Sequence, residues 1–95
     1  MQRMNQVHLQ IMGSVQGVGY RQFLKKEAER RRITGWTRNL PDGSVEALLQ
    51  GEKQEIEAFL LRLREGPFLA EVKDLRVDWE DMEEKVSDFV ILPSV

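Results

Sequence analysis

Hydrophobic and polar residues alternate near the start of the chain. Val7, Leu9 and Ile11 are apolar, and polar residues stand between them. A period of two is typical of a strand with one buried face, because successive side chains of a strand point to opposite sides. The alternation therefore predicts a first strand, which we expect to end at Gly13.

Two later segments repeat apolar residues at the spacing of an amphipathic helix. The first is predicted over roughly residues 21–32. The second lies within residues 52–67, where glutamates occupy the first turn and Gly66-Pro67 provides a stop signal. The apolar stripes consist of Tyr20, Phe23, Leu24 and Ala28 in the first helix and Ile56, Phe59, Leu60 and Leu63 in the second.

The segments between and after the helices are rich in strand-forming residues. Pro41-Asp42-Gly43 separates two such runs, and it predicts a hairpin because proline presets φ and glycine accepts a positive φ. Residues 70–80 alternate imperfectly, which predicts a strand with a bulge around Lys73 and Asp74. The final segment, residues 87–93, predicts a short last strand after an exposed acidic loop.

The predicted elements follow the order β-α-β-β-α-β, with a possible short fifth strand. Two right-handed β-α-β units of this kind place both helices on one face of a mainly antiparallel four-stranded sheet. This is the α+β ferredoxin-like sandwich, and a chain of 95 residues suits one domain spanning residues 1–95. Because the fold hosts many unrelated functions, the function has to be argued from a site.

Composition narrows the class of function. The chain carries 14 basic and 16 acidic residues, so no overall field attracts it to nucleic acid or to an anionic membrane. It has no cysteine, which excludes thiolate nucleophiles, disulfides and cysteine metal sites. No run approaches the roughly 20 apolar residues that span a bilayer. We expect a soluble, cytoplasmic monomer whose partner is a small molecule.

A glycine-rich stretch, "GSVQGVGYRQF" at residues 13–23, joins the first strand to the first helix. Glycines adopt positive φ and leave backbone N–H groups accessible, and a helix N-terminus adds unpaired donors with a partial positive charge. Arg21 adds a planar cation that can bind two oxygens at once. The stretch predicts a site for a phosphate-sized anion, and a plain chain reversal with a solvated arginine is the alternative. It matches neither the Walker A motif nor the dinucleotide fingerprint.

Three motifs occur in an order and spacing that resemble the acylphosphatase family. They are the glycine-rich stretch, "GWTRNLPDGSVEALLQG" at residues 35–51, and Gly66-Pro67 after the second helix. The resemblance covers about residues 7–92. It implies a small hydrolase that cleaves the carboxyl–phosphate bond of acyl phosphates to a carboxylate and inorganic phosphate. It also implies that the enzyme needs no metal or organic cofactor.

The resemblance assigns the family's essential arginine to Arg21 and its essential asparagine to Asn39. Phosphoryl transfer depends mainly on positioning and on neutralising charge, which a guanidinium and backbone amides supply. An asparagine amide can hold a water in line without acting as a strong base, and in the family the substrate's own phosphate takes the proton. The residues expected to bind phosphate are Val15, Gln16, Gly17, Val18, Gly19, Tyr20 and Arg21.

Other chemically active residues favour structural roles. His8 is the only histidine, so Ser14 cannot belong to a Ser-His-Asp triad, and we expect His8 to be structural or on the surface. The arginines of residues 30–32 are mixed with glutamates, which favours a solvated helix end over a nucleic-acid patch. The acidic run lacks the spacing of a calcium loop and favours solvation. Its carboxylates are Glu80, Asp81, Glu83 and Glu84.

Side-chain direction separates the remaining candidates. Strand alternation sends Arg38 and Asn39 to opposite faces, and we expect Asn39 to face the glycine-rich stretch. Trp36 and Trp79 are expected to pack in the core or on the sheet. A non-catalytic ferredoxin-like module that binds an anion or a partner protein is the alternative function.

The chain departs from the family pattern at the end of the first helix. The family usually has a leucine-glycine pair where Arg31 and Arg32 stand. If that glycine is a left-handed cap, Arg32 must adopt a strained conformation or the helix must end differently. Tyr20 replaces a commoner phenylalanine and adds a hydroxyl that needs a partner, whereas Thr37 replaces valine and keeps β-branching.

Overall fold

A computed structural model describes residues 4–82 and 84–95, and these residues form five strands and two helices. In chain order the elements are β1 (Met4–Ser14), α1 (Tyr20–Arg30), β2 (Thr34–Asn39), β3 (Val45–Glu52), α2 (Lys53–Glu65), β4 (Glu71–Glu80) and β5 (Phe89–Ile91). The strands lie side by side in the order β4-β1-β3-β2-β5. β5 pairs with β2 in parallel and the other pairs are antiparallel, which confirms the ferredoxin-like fold and its fifth strand.

The core lies between one face of the sheet and the two helices. Val7, Leu9 and Ile11 of β1 are fully buried there, as their alternation predicted. From the helices, Leu24 and Phe59 fill the same core. α1 contacts β2 and β5, α2 contacts β3 and β4, and the helices contact each other, so both cover the same face. The opposite face carries the polar positions of the strands.

The predicted bulge is present between β1 and β4. Met12 pairs with Asp74 and Gly13 with Val72, so Lys73 is left over in the register. Gly13 has a φ of 132°, and a Cβ on it would collide with the carbonyl oxygen of Glu71. Gly13 therefore serves the close approach of two strands. The prediction that β1 ends at Gly13 was wrong, because the strand continues through Ser14.

Two aromatic side chains show different degrees of burial. Tyr20 is buried, its hydroxyl donates a hydrogen bond to the carbonyl of Leu63 at 2.8 Å, and burial raises its pKa above the usual range. The hydroxyl thus has the partner that it needs. Trp79, expected in the core or on the sheet, lies outside the core and on the sheet, near the end of the edge strand β4, with 46% of it exposed.

Helix α1 runs over Tyr20–Arg30, so the predicted range of 21–32 was wrong by one residue at the start and two at the end. Its C-terminus is a Schellman motif: the N–H of Ile33 donates to Ala28 at 2.9 Å and that of Arg32 to Glu29 at 3.2 Å. Arg32 occupies the left-handed position with a φ of 56°. The strained conformation anticipated from the family pattern is therefore the one adopted.

Arg32→Gly is expected to stabilise the protein. A left-handed conformation costs a residue with a Cβ about 1–2 kcal/mol, and the extra flexibility of glycine in the unfolded chain offsets part of this. The net gain is about 1 kcal/mol, which raises the Tm of a domain of this size by about 4–8 °C. Thermal unfolding measures it. Arg30→Gly, inside the same helix, is the matched control and should destabilise; a loss of equal size from both substitutions would contradict the strain.

Candidate active site

The ends of three strands meet at one edge of the sheet. Val45, the first residue of β3, pairs with Ile11 of β1 on one side and with Asn39, the last residue of β2, on the other. The loop that follows β1 and the turn that follows β2 therefore begin at the same end of the sheet. This register brings the glycine-rich loop (residues 15–19) and the hairpin turn (residues 40–44) to one end of the molecule.

The glycine-rich loop is anchored by apolar side chains, including the partly buried Val18, and is open at Gly17 and Gly19. Val15 and Tyr20 are each 1% exposed, so their side chains belong to the core. Gly17 and Gly19 have φ values of 73° and 76°, and apart from their chain neighbours no described residue comes within 4 Å of where a Cβ would stand on either. The backbone between the anchors lines a concavity of about 90 Å³, to which Arg21 also contributes.

The concavity lies at the N-terminus of α1, where the sequence of the first turn leaves the positive end of the helix unneutralised. Gly19 caps the helix without a side-chain hydrogen bond, and the first turn contains Arg21 and no acidic residue. Within the described part of the chain, Arg21 forms no hydrogen bond or ion pair. A helix N-terminus and an uncompensated guanidinium both favour an anion, so the local charge suits phosphate although the protein as a whole is slightly acidic.

Asn39 is turned toward the helical side of the sheet. Gly35 and Thr37 of β2 are buried beneath the helices, and Asn39 continues the same alternation. Its Oδ1 atom is buried and has no hydrogen-bond partner among the described residues. Since buried polar atoms almost always have a partner, this oxygen is suited to a water or a bound ligand.

Arg38 lies on the opposite face, away from the loop. Its Nε donates to Oε1 of Glu46 at 2.7 Å, and its guanidinium stands 5.2 Å from the ring of Trp36. His8 lies on the same face, with its Nε2 2.6 Å from Oε2 of Glu46. Burial alone raises the pKa of Glu46, but the hydrogen bonds with His8 and Arg38 outweigh it and hold that pKa below its usual value.

Glu46 is expected to make stability depend on pH. Its carboxylate stabilises the folded state above about pH 4.3, which is the ordinary pKa of a glutamate in the unfolded chain. This stabilisation is lost as the pH falls through the lower pKa that Glu46 has in the folded protein. At about pH 7, Glu46→Gln should lower the free energy of unfolding by about 1–2 kcal/mol. Urea unfolding at several pH values tests this, with the exposed Glu57→Gln as control. A difference that widened as the pH fell below about 4.3, where the carboxylate of Glu46 takes up its proton, would contradict these contacts.

Gln16 has a role that the sequence did not indicate. It was predicted to contribute only its backbone amide, but its side-chain Nε2 also donates to the carbonyls of Leu40 and Ser44, each at 2.8 Å. The side chain thus links the glycine-rich loop to the hairpin turn next to Asn39. No sequence spacing indicates such a link, because residues 16 and 40 come together only through the pairing of three strands.

Other candidate residues lie elsewhere. Arg31 stands 3.6 Å from Glu55, and Arg30 3.8 Å from Glu27, so the arginine cluster is interspersed with carboxylates. Residues 80, 81 and 84 of the acidic run are exposed, and Glu83 lies outside the described residues. Among the described residues, no three potential ligands form a metal cluster, and no helix is long and apolar enough to cross a membrane.

The resemblance drawn from the three motifs is confirmed by comparison with known proteins. The family model described as Acylphosphatase matches residues 7–91. An acylphosphatase of Thermococcus kodakarensis is 46% identical over 76 residues, which cover 80% of this chain and 84% of that protein. One of Thiobacillus denitrificans is 46% identical over 86 residues, covering 90% and 94%. The crystal structure of acylphosphatase from Bacillus subtilis superimposes with a TM-score of 0.90 at 32% identity, over 95% of this chain and 99% of that one.

Proposed function

This chain belongs to the acylphosphatase family, and we propose that it hydrolyses acyl phosphates to a carboxylate and inorganic phosphate. One observation carries the chemistry. A glycine-rich loop and an arginine that no described residue pairs with lie at a helix N-terminus, and the same end of the sheet holds an asparagine whose buried amide oxygen has no partner among the described residues. The first feature suits a phosphoryl group, and the second suits a water.

The phosphoryl group is bound by backbone and by one cation. The N–H groups of residues 15–20 face its oxygens, because Gly17 and Gly19 leave no side chain in the way. Arg21 gives two N–H donors in a fixed plane, which match two oxygens of the group. In the transition state the negative charge is spread over the three equatorial oxygens of the phosphoryl group, so donors already in place there stabilise it.

Asn39 orients the attacking water. Its Oδ1 accepts a hydrogen bond from the water, and the water oxygen attacks phosphorus opposite the carboxylate leaving group. The bond between phosphorus and the bridging oxygen breaks, and its electron pair leaves on the carboxylate. The water's proton passes to a phosphate oxygen of the substrate. An asparagine is sufficient because a carboxylate leaves readily and no strong base is required.

The proposed reaction uses neither a histidine base nor a metal ion, for two reasons. His8 is held by Glu46 on the face of the sheet that the helices do not cover. Arg21 and the helix N-terminus supply positive charge in the place where a metal ion would otherwise be needed. We therefore propose a cofactor-independent reaction.

We further propose that the protein acts as a cytoplasmic monomer on a small molecule, without a nucleic-acid or membrane partner. Loop, arginine and asparagine all come from one chain, so a second copy is not needed to complete the site. The lack of cysteine suits a reducing compartment, because no disulfide can be lost there. The net charge of −2 gives no attraction to polyanions.

Incubation of the purified protein with acetyl phosphate or benzoyl phosphate, in the presence of a chelator, tests the function. We expect substrate loss well above the buffer rate, and the chelator should not change it. Phosphate binding without turnover would favour the non-catalytic anion-binding module instead. Loss of activity on chelation, restored by a divalent metal, would contradict the cofactor-independent reaction.

A further inference from the structure

We propose that the side chain of Gln16 is a positioning element for catalysis, which sets the distance between the bound phosphate and the water held by Asn39. Its Nε2 lies 2.8 Å from each of two carbonyl oxygens, those of Leu40 and Ser44. Both N–H groups of the amide can therefore be used. The inference rests on the proposed function, because it concerns the alignment of two groups in that reaction.

On the loop side, Gln16 stands between a buried residue and an open glycine. Val15 before it is buried, whereas Gly17 after it has a positive φ and, its chain neighbours apart, none of the described residues within 4 Å of its Cβ position. Val18 packs partly against the core, so apolar contacts hold the loop at some positions and leave it open at its glycines. The side chain of Gln16 adds hydrogen bonds to this packing, next to the N–H groups that are proposed to face the phosphate.

On the hairpin side, Gln16 contacts the carbonyls that close the turn. The N–H of Leu40 donates to the Ser44 carbonyl at 2.9 Å, and the N–H of Gly43 donates to the Leu40 carbonyl at 3.2 Å. Gln16 adds a further donor to each of these two acceptors. Leu40 follows Asn39 directly in the chain, so any shift of the turn also shifts the amide that holds the water.

The two hydrogen bonds from residue 16 to the hairpin turn require a side-chain amide of the length of glutamine. Two N–H groups on one nitrogen can reach two carbonyls, whereas a carboxylate at the same place offers only acceptors. Methionine fills a similar volume without donors, so Gln16→Met removes the link and leaves the backbone amide of residue 16 in place. Phosphate binding should then persist while the alignment of water and phosphorus loosens. A misplacement of about 1 Å can cost about 100-fold in rate.

Steady-state kinetics of Gln16→Met on an acyl phosphate, with inorganic phosphate as competitive inhibitor, tests the inference. We expect kcat to fall about 10- to 100-fold, while the inhibition constant of phosphate changes less than about threefold. In the Asn39→Ala background the same substitution should change kcat by less than about threefold, because coupled residues are not additive. Assays at high enzyme concentration keep the residual rates measurable.

Gln50, a glutamine that is buried and also donates two side-chain hydrogen bonds, provides a control. Gln50 donates to Oε1 of Gln6 at 2.8 Å and to the carbonyl of Glu84 at 2.6 Å, near the other end of β3. Gln50→Met should lower the Tm without changing kcat below the unfolding temperature. If Gln16→Met does not fold, Gln16→Asn, which keeps both donors but is one methylene shorter, should lower kcat with phosphate inhibition retained.

Three results would overturn the inference while leaving the proposed function intact. The first is a wild-type kcat in the Gln16 variant that folds. The second is a joint loss of phosphate affinity and kcat, which would mean that Gln16 supports only the phosphate-binding loop and does not align the water. The third is an equal fall in kcat with and without Asn39. Absence of hydrolysis by the wild-type protein would instead refute the proposed function.

Discussion

Arg21→Ala is expected to abolish phosphate binding and turnover together. Arg21 lies in the first turn of α1 and lines the concavity of the glycine-rich loop, and the described residues offer its guanidinium no competing partner. Arginines that stabilise a transferring phosphoryl group contribute about 10³-fold or more to the rate. We therefore expect kcat/KM to fall by at least about that factor. Inhibition by inorganic phosphate should disappear in the same variant.

Two companion variants separate the roles of charge and geometry. Arg21→Lys keeps a positive charge but loses the planar pair of donors, so its activity should lie between those of wild type and Arg21→Ala. Arg30→Ala removes an exposed arginine at the other end of α1 and should retain wild-type kinetics. Wild-type phosphate inhibition in Arg21→Ala would show that the loop amides alone bind the anion.

Asn39→Ala is expected to lose turnover while phosphate binding persists. The loop and Arg21 are unchanged in this variant, but the water that we propose Asn39 to hold in line loses its acceptor. Orientation of a reacting group is worth about 100-fold or more, so kcat should fall by at least that factor. Titration with inorganic phosphate, followed by calorimetry, should give a dissociation constant close to that of the wild type.

The neighbouring residue gives the sharpest control for Asn39. Arg38 lies on the other face of β2 and is held by Glu46, so Arg38→Ala should reduce stability and leave kcat unchanged. Asn39→Asp keeps the shape but places a negative charge beside the phosphate, so it should also weaken phosphate binding. Retained turnover in Asn39→Ala would show that another group positions the water.

Much of the fold could be predicted because its periodicities are local. The alternation in β1, the two amphipathic stripes and the Pro-Asp-Gly turn each depend on neighbouring residues, and all of these elements are present. The bulge near Lys73 could be predicted from a slip in the pattern. The exposure of Trp79 could not, because it depends on β4 being an edge strand.

The residues of the candidate site likewise fall into those that could be predicted from the sequence and those that could not. Arg21 and Asn39 could be proposed from motifs and strand alternation, and the strained Arg32 from a departure at one position. The link from Gln16 to residues 40 and 44 and the pairing of His8 with Glu46 could not, because each joins residues far apart in the chain. Gly13 was grouped with the loop glycines on sequence alone, but its φ and the nearby Glu71 show that it serves the sheet.

Hydrolysis in water labelled with heavy oxygen tests the central claim most directly. If Asn39 aims the water at phosphorus, the label must enter inorganic phosphate, and the carboxylate must keep the oxygens of the substrate. Mass spectrometry of both products after a single turnover, with excess enzyme, measures this. We predict label in the phosphate alone. Label in the carboxylate would mean attack on the carbonyl carbon, and it would contradict the proposed roles of the loop, Arg21 and Asn39.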